Sequence, residues 1–244
     1  TICNALEIIT PERRLYGYTV EPLSCIYPDL PPMVGYARTC TIRSVEPSQR
    51  SPAADRETRV NWYRYVDEGG PKPSIVVMQD IDGARAGYGS FWGEVNSHVH
   101  RGLGALGVIT NGCIRDVPMN AKGFQMLAGS VKPSHAHVHV VDMAVAVSVS
   151  GMSVRSGDLV HADMHGAVVI PHQAAGLRTP GHHGGRADQL HARDAGRGPR
   201  EGEDVPHGPD VPAARGEQGG RAAAVHHHRH AGRGHELARR VVRP

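Results

Sequence analysis

The stretch "FWGEVNSHVHRGLGALGVITNGCIRDVP", residues 91–118, decides how the rest of the chain is read. It opens near an acid, Glu94, and closes on an adjacent Arg115-Asp116 pair, with a Gly-rich run between them. Residues 92–107 read as a helix with its N-terminus near Gly93 and Glu94, and residues 107–116 as a buried strand and turn. A helix of about twelve residues climbs about 1.5 Å per residue. A returning strand retraces that length with about half as many residues, at roughly 3.3 Å each. The two ends of the unit are therefore expected to meet, bringing Glu94 beside Arg115 and Asp116.

That meeting has chemical content. The amides of Gly93, Glu94, Val95 and Asn96 would point out of a helix N-terminus, where free donors suit a carboxylate or phosphate. Arg115 adds a planar fork that matches a carboxylate in two parallel hydrogen bonds. Asp116 is a hard oxygen ligand, suited to Mg²⁺ held through one carboxylate with several waters retained. Together they describe a site for a small carboxylate beside a divalent cation. The alternative on the same residues is a surface ion pair between Arg115 and Asp116, with Glu94 capping a helix.

Outward from this unit, residues 33–45 are rich in β-branched residues and read as a strand. Residues 56–70 have helical character and stop at a Gly pair. Residues 73–82 form a short apolar run of strand length, with Asp80 and Asp82 at its exit as pocket-lining acids or, more plainly, as solvated loop acids. Residues 135–171 are almost all strand and turn. Short strands outnumber inserted helices, which predicts a compact α+β domain with layered sheets, one domain across residues 1–171. There is no internal repeat.

No run approaches the roughly 18 uninterrupted apolar residues of a membrane helix. No charged n-region and apolar h-region opens the chain, and Thr1 in place of Met leaves the native start expected upstream. Cys3, Cys25, Cys40 and Cys113 are scattered without CxxC or zinc spacing, which fits buried, reduced thiols and a cytoplasmic location. The formal net charge is +3, yet residues 172–244 alone carry +4 (12 Arg against 4 Asp and 4 Glu), leaving −1 on the first 171. The basic balance belongs to the tail, so a nucleic-acid partner is not expected.

At residues 93–117, "GEVNSHVHRGLGALGVITNGCIRDV", the sequence resembles the RraA-like family, which includes 4-hydroxy-4-methyl-2-oxoglutarate aldolases, oxaloacetate decarboxylases and regulators of ribonuclease E activity. The family pattern is an acid, twenty residues, then Arg-Asp; here residues 95–114 separate Glu94 from Arg115-Asp116. The aldolase pattern often has Asp where this chain has Glu94. The likeness continues through "VGYART" (34–39), "GFQMLAGSVKPSHAHVHVVD" (123–142) and "GDLVHADMHGAVVIP" (157–171). It implies a layered β/β/α swivelling-type domain and a divalent-metal-dependent lyase acting on 2-oxo diacids. In that picture Arg115 and the Gly93–Asn96 amides hold the substrate carboxylate. Asp116 binds Mg²⁺ or Mn²⁺, and Glu94 orients a water as acid/base. The family also implies a homotrimer or hexamer with an acid supplied from a neighbour's C-terminal region, and, as the alternative function, a binding module that modulates a ribonuclease or helicase partner.

Other features are weaker. "HAHVH" would put His135, His137 and His139 on one face of a strand, as a metal set or, more plainly, as packing or a subunit contact. His161 and His165 lie in a strand–turn context without the Glu of HExxH. "GYGSFWG" (87–93) is no dinucleotide fingerprint, and Ser97-His98 has no nucleophile elbow around it.

Residues 172–244 lack Ile, Phe, Tyr, Trp, Met, Asn, Ser, Cys and Lys altogether and consist mostly of Gly, Ala, Arg, Pro and His. Such a segment cannot bury enough apolar surface to offset its ordering entropy. "HHHRH" (226–230) within it reads as no specific metal site. The tail is expected to be either a disordered Arg-rich extension or the product of a frameshift in GC-rich coding DNA. On the frameshift reading, shifting the frame of the coding DNA near codon 172 restores an amphipathic helical pattern. Sequencing that DNA checks it, and the absence of such a pattern in every frame rejects it.

Overall fold

The computed structural model describes residues 2–176. The expectations for the remainder of the tail, its disorder or frameshift and the His-rich run at 226–230, lie outside the described residues.

Among the described residues the chain forms α1 (Ile2–Ile9), β1 (Ser24–Cys25), β2 (Met33–Arg43), α2 (Pro52–Glu68), β3 (Ser74–Asp80) and α3 (Glu94–Gly102). There follow β4 (Ala105–Ile114), β5 (Gln125–Val131), β6 (His139–Met143), β7 (Val147–Val149), β8 (Met152–Val154), β9 (Leu159–Asp163) and β10 (Gly166–Ile170). The main sheet runs β1-β5-β4-β3-β2-β9-β10. Its centre, β2 to β5, is parallel, and its flanks are antiparallel. The long β2 gives one edge to β3 and divides the other, its first residues pairing with β9 and its last with β6. The expected α+β class is the observed one.

Parallel strands with both faces covered read as continuous apolar runs, and β3, "SIVVMQD", is such a strand. Its side chains alternate between two cores. Val76 and Met78 join Trp62, Val66, Trp92, Leu103 and Phe124 beneath α2 and α3. Ile75 and Val77 join Ile109, Leu127 and the hairpin β7–β8 on the opposite face. Helices on one face and a second β layer on the other give the expected β/β/α layering.

The helix boundaries have local causes. Helix α2 begins four residues before the predicted 56–70 because Ser51 caps it, accepting from the Ala54 amide at 3.3 Å, with Pro52 at the first helical position. It stops before Gly69 and Gly70. Helix α3 is shorter than the predicted 92–107, because Gly104 sits at φ +87° and turns the chain directly into β4. The histidine stripe is also corrected. Residues 135–138 form a turn, with Ala136 at φ +45°, and β6 begins only at His139, so no strand face carries the three rings. The four cysteines are unpaired; Cys40 and Cys113 are buried, and Cys3 and Cys25 are partly exposed. No helix among the described residues is long and apolar enough to cross a membrane.

Under α3 lies a buried histidine. The Trp62 indole N–H donates to His100 Nε2 at 2.9 Å, so Nδ1 carries the proton and donates to the Asn96 carbonyl at 2.7 Å. Burial pushes the His100 pKa down to about 4, against a smaller opposing effect of the Asn96 carbonyl. The unfolded chain takes up this proton near pH 6.5. Stability is thus complete above about pH 6.5 and is lost as pH falls toward 4, by roughly 3 kcal/mol from this group. Urea midpoints measured between about pH 7 and 4.5 are expected to fall more steeply for the native chain than for His100→Gln, which is weaker at pH 7 but cannot titrate there. Parallel slopes would contradict the assignment.

Candidate active site

The two ends of the 91–118 unit do meet. Trp92 bridges Ile114 in parallel register, and the Arg115 amide donates to the Trp92 carbonyl at 3.0 Å. Upstream, the β3–β4 ladder ends at Met78 and Thr110, where the Asn111 amide group takes over. Its Oδ1 accepts from the Asp80 amide at 2.8 Å and its Nδ2 donates to the Asp80 carbonyl at 2.9 Å. The side chain thus replaces a backbone pair and frees the end of β4 to turn toward Trp92. Ser90 Oγ, within bonding distance of the Trp92 and Cys113 carbonyls, braces the same junction.

Asp116 follows in the left-handed region, at φ 55° and ψ 35°. Asp tolerates this conformation better than most residues, but at a cost. The Asp116 carbonyl accepts from the Met119 amide at 2.8 Å, and the Asn120 side chain donates to the Arg115 carbonyl at 3.2 Å, so the turn is held from behind. The carboxylate lies against the helix entrance. Asp116 Oδ2 is 3.4 Å from the Glu94 amide and 3.7 Å from Arg115 Nη1. The Arg115–Asp116 pair is long and about one-third exposed on each side. An ion pair of that kind contributes at most about 1 kcal/mol. Arg115 Nε is buried without a hydrogen-bond partner among the described residues, and Glu94 is exposed with no side-chain bond among them.

Every predicted site residue is therefore at one place. Gly93 caps α3, Glu94, Val95 and Asn96 form its first turn, and Arg115 and Asp116 stand across from it. The amide set is not wholly open, because Glu94 N–H leans on Asp116. Asn96 is fixed on both sides: its Nδ2 donates to the Phe91 carbonyl, and its Oδ1 accepts from the Tyr63 hydroxyl at 3.0 Å.

Arg115, Val95 and Asn96 border a cleft of about 720 Å³. Its other walls are residues 47–52, the face of α2 bearing Asp55, Arg59 and Tyr63, and residues 135–140. The α2 wall was not among the sequence candidates. Part of its signal was present, since residues 59 and 63 stand four apart within the segment already read as a helix, while Asp55 lies just before it. Asp80 and Asp82, in contrast, are withdrawn from solvent. Burial pushes Asp80 up, while its carboxylate accepts from the Gly87 and Asp82 amides. Burial also pushes Asp82 up, but the Ser44 and Val45 amides, the Ser44 hydroxyl and Arg43 together outweigh it and hold its carboxyl below the usual range. Both acids organise loops. His161 lies in β9 and His165 in the turn that follows, as expected.

A hard cation that keeps most of its waters fits the donor set at Asp116, whose Oδ1 has no protein partner among the described residues. A cation that demands three protein ligands does not. No group of three His, Cys, Asp or Glu side chains converges among the described residues.

A mixed sheet with helices on one face and a β hairpin on the other, with a helix entrance beside the end of a central parallel strand, defines the class of domain. The RraA-like family model, described as Aldolase/RraA, matches residues 1–169, and the chain belongs to that family. The family includes both aldolase/decarboxylase enzymes and regulators of ribonuclease E. Among curated proteins the chain resembles protein DlpA of Legionella pneumophila, 27% identical over 119 residues. That match covers 46% of this chain and 18% of DlpA, so the chain spans less than a fifth of that relative. Among solved structures it resembles RraAS2 of Streptomyces coelicolor, an unusual member of the RNase ES inhibitor RraA family, at TM-score 0.54 and 21% identity over 71% of this chain and 80% of that one. It also resembles the RNA-processing inhibitor RraA of Thermus thermophilis, at TM-score 0.50 and 18% identity over 72% and 96%. These likenesses show the fold.

Gly93 sits under the carboxylate. A Cβ there would stand 2.5 Å from Asp116 Oδ2 and 3.1 Å from Arg115 Cγ. The backbone at Gly93 is extended, so alanine meets no torsional obstacle. Gly93→Ala is expected to keep the native circular dichroism spectrum while its crystal structure shows the Asp116 carboxylate swung off the Glu94 amide. An unmoved carboxylate would contradict the packing described.

Proposed function

We propose that the chain is a divalent-metal-dependent lyase that cleaves a carbon–carbon bond of 2-oxo diacids. Its substrates are of the 4-hydroxy-4-methyl-2-oxoglutarate type, oxaloacetate, or both. The observation that carries this reading is the convergence of a guanidinium, a carboxylate with one free oxygen and the first amides of α3, of which Arg115, Val95 and Asn96 also line an open cleft.

Arg115 binds the C1 carboxylate of the 2-oxo acid, and the amides of Val95 and Asn96 complete the anion site. Asp116 would hold Mg²⁺ or Mn²⁺, which when bound supplies Lewis-acid stabilisation of the charge developing on the 2-oxo group. Arg115 shares in that stabilisation through its fixed positive charge. Glu94, exposed in the first turn of α3, orients a water that moves the proton of the 4-hydroxyl. In a hydroxy diacid the C3–C4 pair then becomes the pyruvate enolate; in oxaloacetate the same enolate is left as carbon dioxide departs. Assembly as a trimer or a pair of stacked trimers, with a 2-oxo acid as the small-molecule partner, belongs to the same reading. The family's regulators of ribonuclease E give the competing role, a binding module that needs no cation.

The test is pyruvate release from oxaloacetate and from a 4-hydroxy-2-oxo diacid, with Mg²⁺ and with EDTA. Release is expected only with the cation, and Arg115→Ala or Asp116→Ala is expected to lower kcat/KM by about 10²-fold or more. Full activity in either variant rejects the site. No release with any cation, together with capture of a ribonuclease partner that survives Asp116→Ala, supports the binding module instead.

A further inference from the structure

Three arginines line the cleft, and one is committed to the fold. Arg50 donates through both terminal nitrogens to the Val140 and Val141 carbonyls, at 2.6 Å each. It also stands 3.7 Å from Asp55, the carboxylate of the lining, whose Oδ1 accepts from the Ser48 hydroxyl at 2.8 Å. Among the described residues Arg115 is matched only with Asp116. Arg59 is exposed and makes no hydrogen bond or ion pair among the described residues. The lining thus carries two available guanidiniums and the exposed or half-exposed rings of His135, His137 and His139, against a single acid that is already engaged.

The position of Arg59 follows from α2. Asp55, Arg59 and Tyr63 recur every four residues and share one face. The Tyr63 hydroxyl reaches Asn96 in the first turn of α3. Arg59 therefore stands one turn, about 5.4 Å, from a direct link to the proposed anion site. Burial pushes the Tyr63 hydroxyl pKa up, and the Arg59 charge works against it, so that charge is felt at the wall shared with Asn96. The cleft, about 720 Å³, lies in the upper part of the roughly 300–1,000 Å³ usual for small-molecule sites. It has room for a diacid longer than four carbons.

We infer that Arg59 binds the distal carboxylate of a substrate whose C1 carboxylate is held at Arg115, and that it selects hydroxy diacids over both monoacids and oxaloacetate. This rests on the lyase reading above. In a 4-hydroxy-2-oxo diacid the C3–C4 bond breaks, its electron pair enters the pyruvate enolate, and the hydroxyl proton goes to the base. C4 becomes the carbonyl of the departing acid. The distal carboxylate keeps its charge throughout, so a guanidinium on it holds reactant and transition state alike and lowers KM without slowing the step. In oxaloacetate that carboxylate is itself the leaving group. Its negative charge passes through the breaking bond into the enolate as carbon dioxide forms. A guanidinium paired with it stabilises the reactant more than the transition state and slows the reaction. One cation thus favours the first chemistry and opposes the second.

The experiment compares the full chain with Arg59→Gln and Arg59→Lys on three substrates with Mg²⁺. These are a 4-hydroxy-2-oxo diacid, the monoacid with methyl in place of its distal carboxylate, and oxaloacetate. Arg59→Gln is expected to lower the diacid-over-monoacid preference in kcat/KM about tenfold or more, through KM. The diacid-over-oxaloacetate preference is expected to fall with it, and Arg59→Lys to recover part of both. Preferences that stay within about twofold, whether or not overall activity drops, overturn the inference. A native chain inactive on all three substrates removes the lyase reading. Calorimetry then still decides the role of Arg59, since its substitution must weaken 2-oxoglutarate about tenfold relative to pyruvate, and equal weakening overturns it.

Discussion

A single backbone hydrogen bond, from the Arg115 amide to the Trp92 carbonyl, closes the unit on which the cleft is built. It can form because both of its ends are fixed by packing. Trp92 is fully buried, with its ring 4.6 Å from His100 and 5.7 Å from Phe124 and its indole nitrogen 3.2 Å from Met78 Sδ. On the other side, Asn111 pins β4 to β3 through the Asp80 backbone and lets the strand bend where the regular ladder ends. The helix entrance and the strand exit are thereby brought together by main-chain geometry, and the side chains of the site inherit that placement.

The first turn of α3 is also held from within. Trp62, His100 and Asn96 form a chain of donors and acceptors that runs from the aromatic core to the cleft wall, ending at Tyr63. A buried polar chain with every member satisfied rigidifies what it touches, whereas a half-satisfied one would destabilise it. The polar atoms under the helix are therefore an asset, and they leave its exposed amides with little freedom to drift.

Much of this was legible in residues 91–118. A helix, a turn at the glycines and a strand between Glu94 and Arg115 were readable, and the approach of Glu94, Arg115 and Asp116 was expected. Matched lengths are not what produces it, however: α3 has nine residues and β4 ten, about 13 Å against about 33 Å. The ends meet because Trp92 lies alongside Ile114. The α+β class followed from short strands broken by two helices. What escaped depends on contacts distant in sequence. Asp80 and Asp82 looked like solvated loop acids because nothing nearby shows that the Ser44, Val45 and Gly87 amides converge on them. The His135–His139 spacing mimics a strand, yet a left-handed Ala136 breaks it. Arg59 was hidden for a different reason. Its helical column was readable, but which face of α2 borders a cleft is set by tertiary packing.

The backbone at Asp116 carries a further consequence. Left-handed geometry suits glycine, and a branched polar residue held there costs of order 1 kcal/mol or more. The fold thus holds a carboxylate at a position that glycine would occupy with less strain. A library sorted only for thermal resistance should drift toward glycine at this position. Such drift at one codon, found with no assay and no ligand, would record that conformational comfort had been surrendered there to something other than folding.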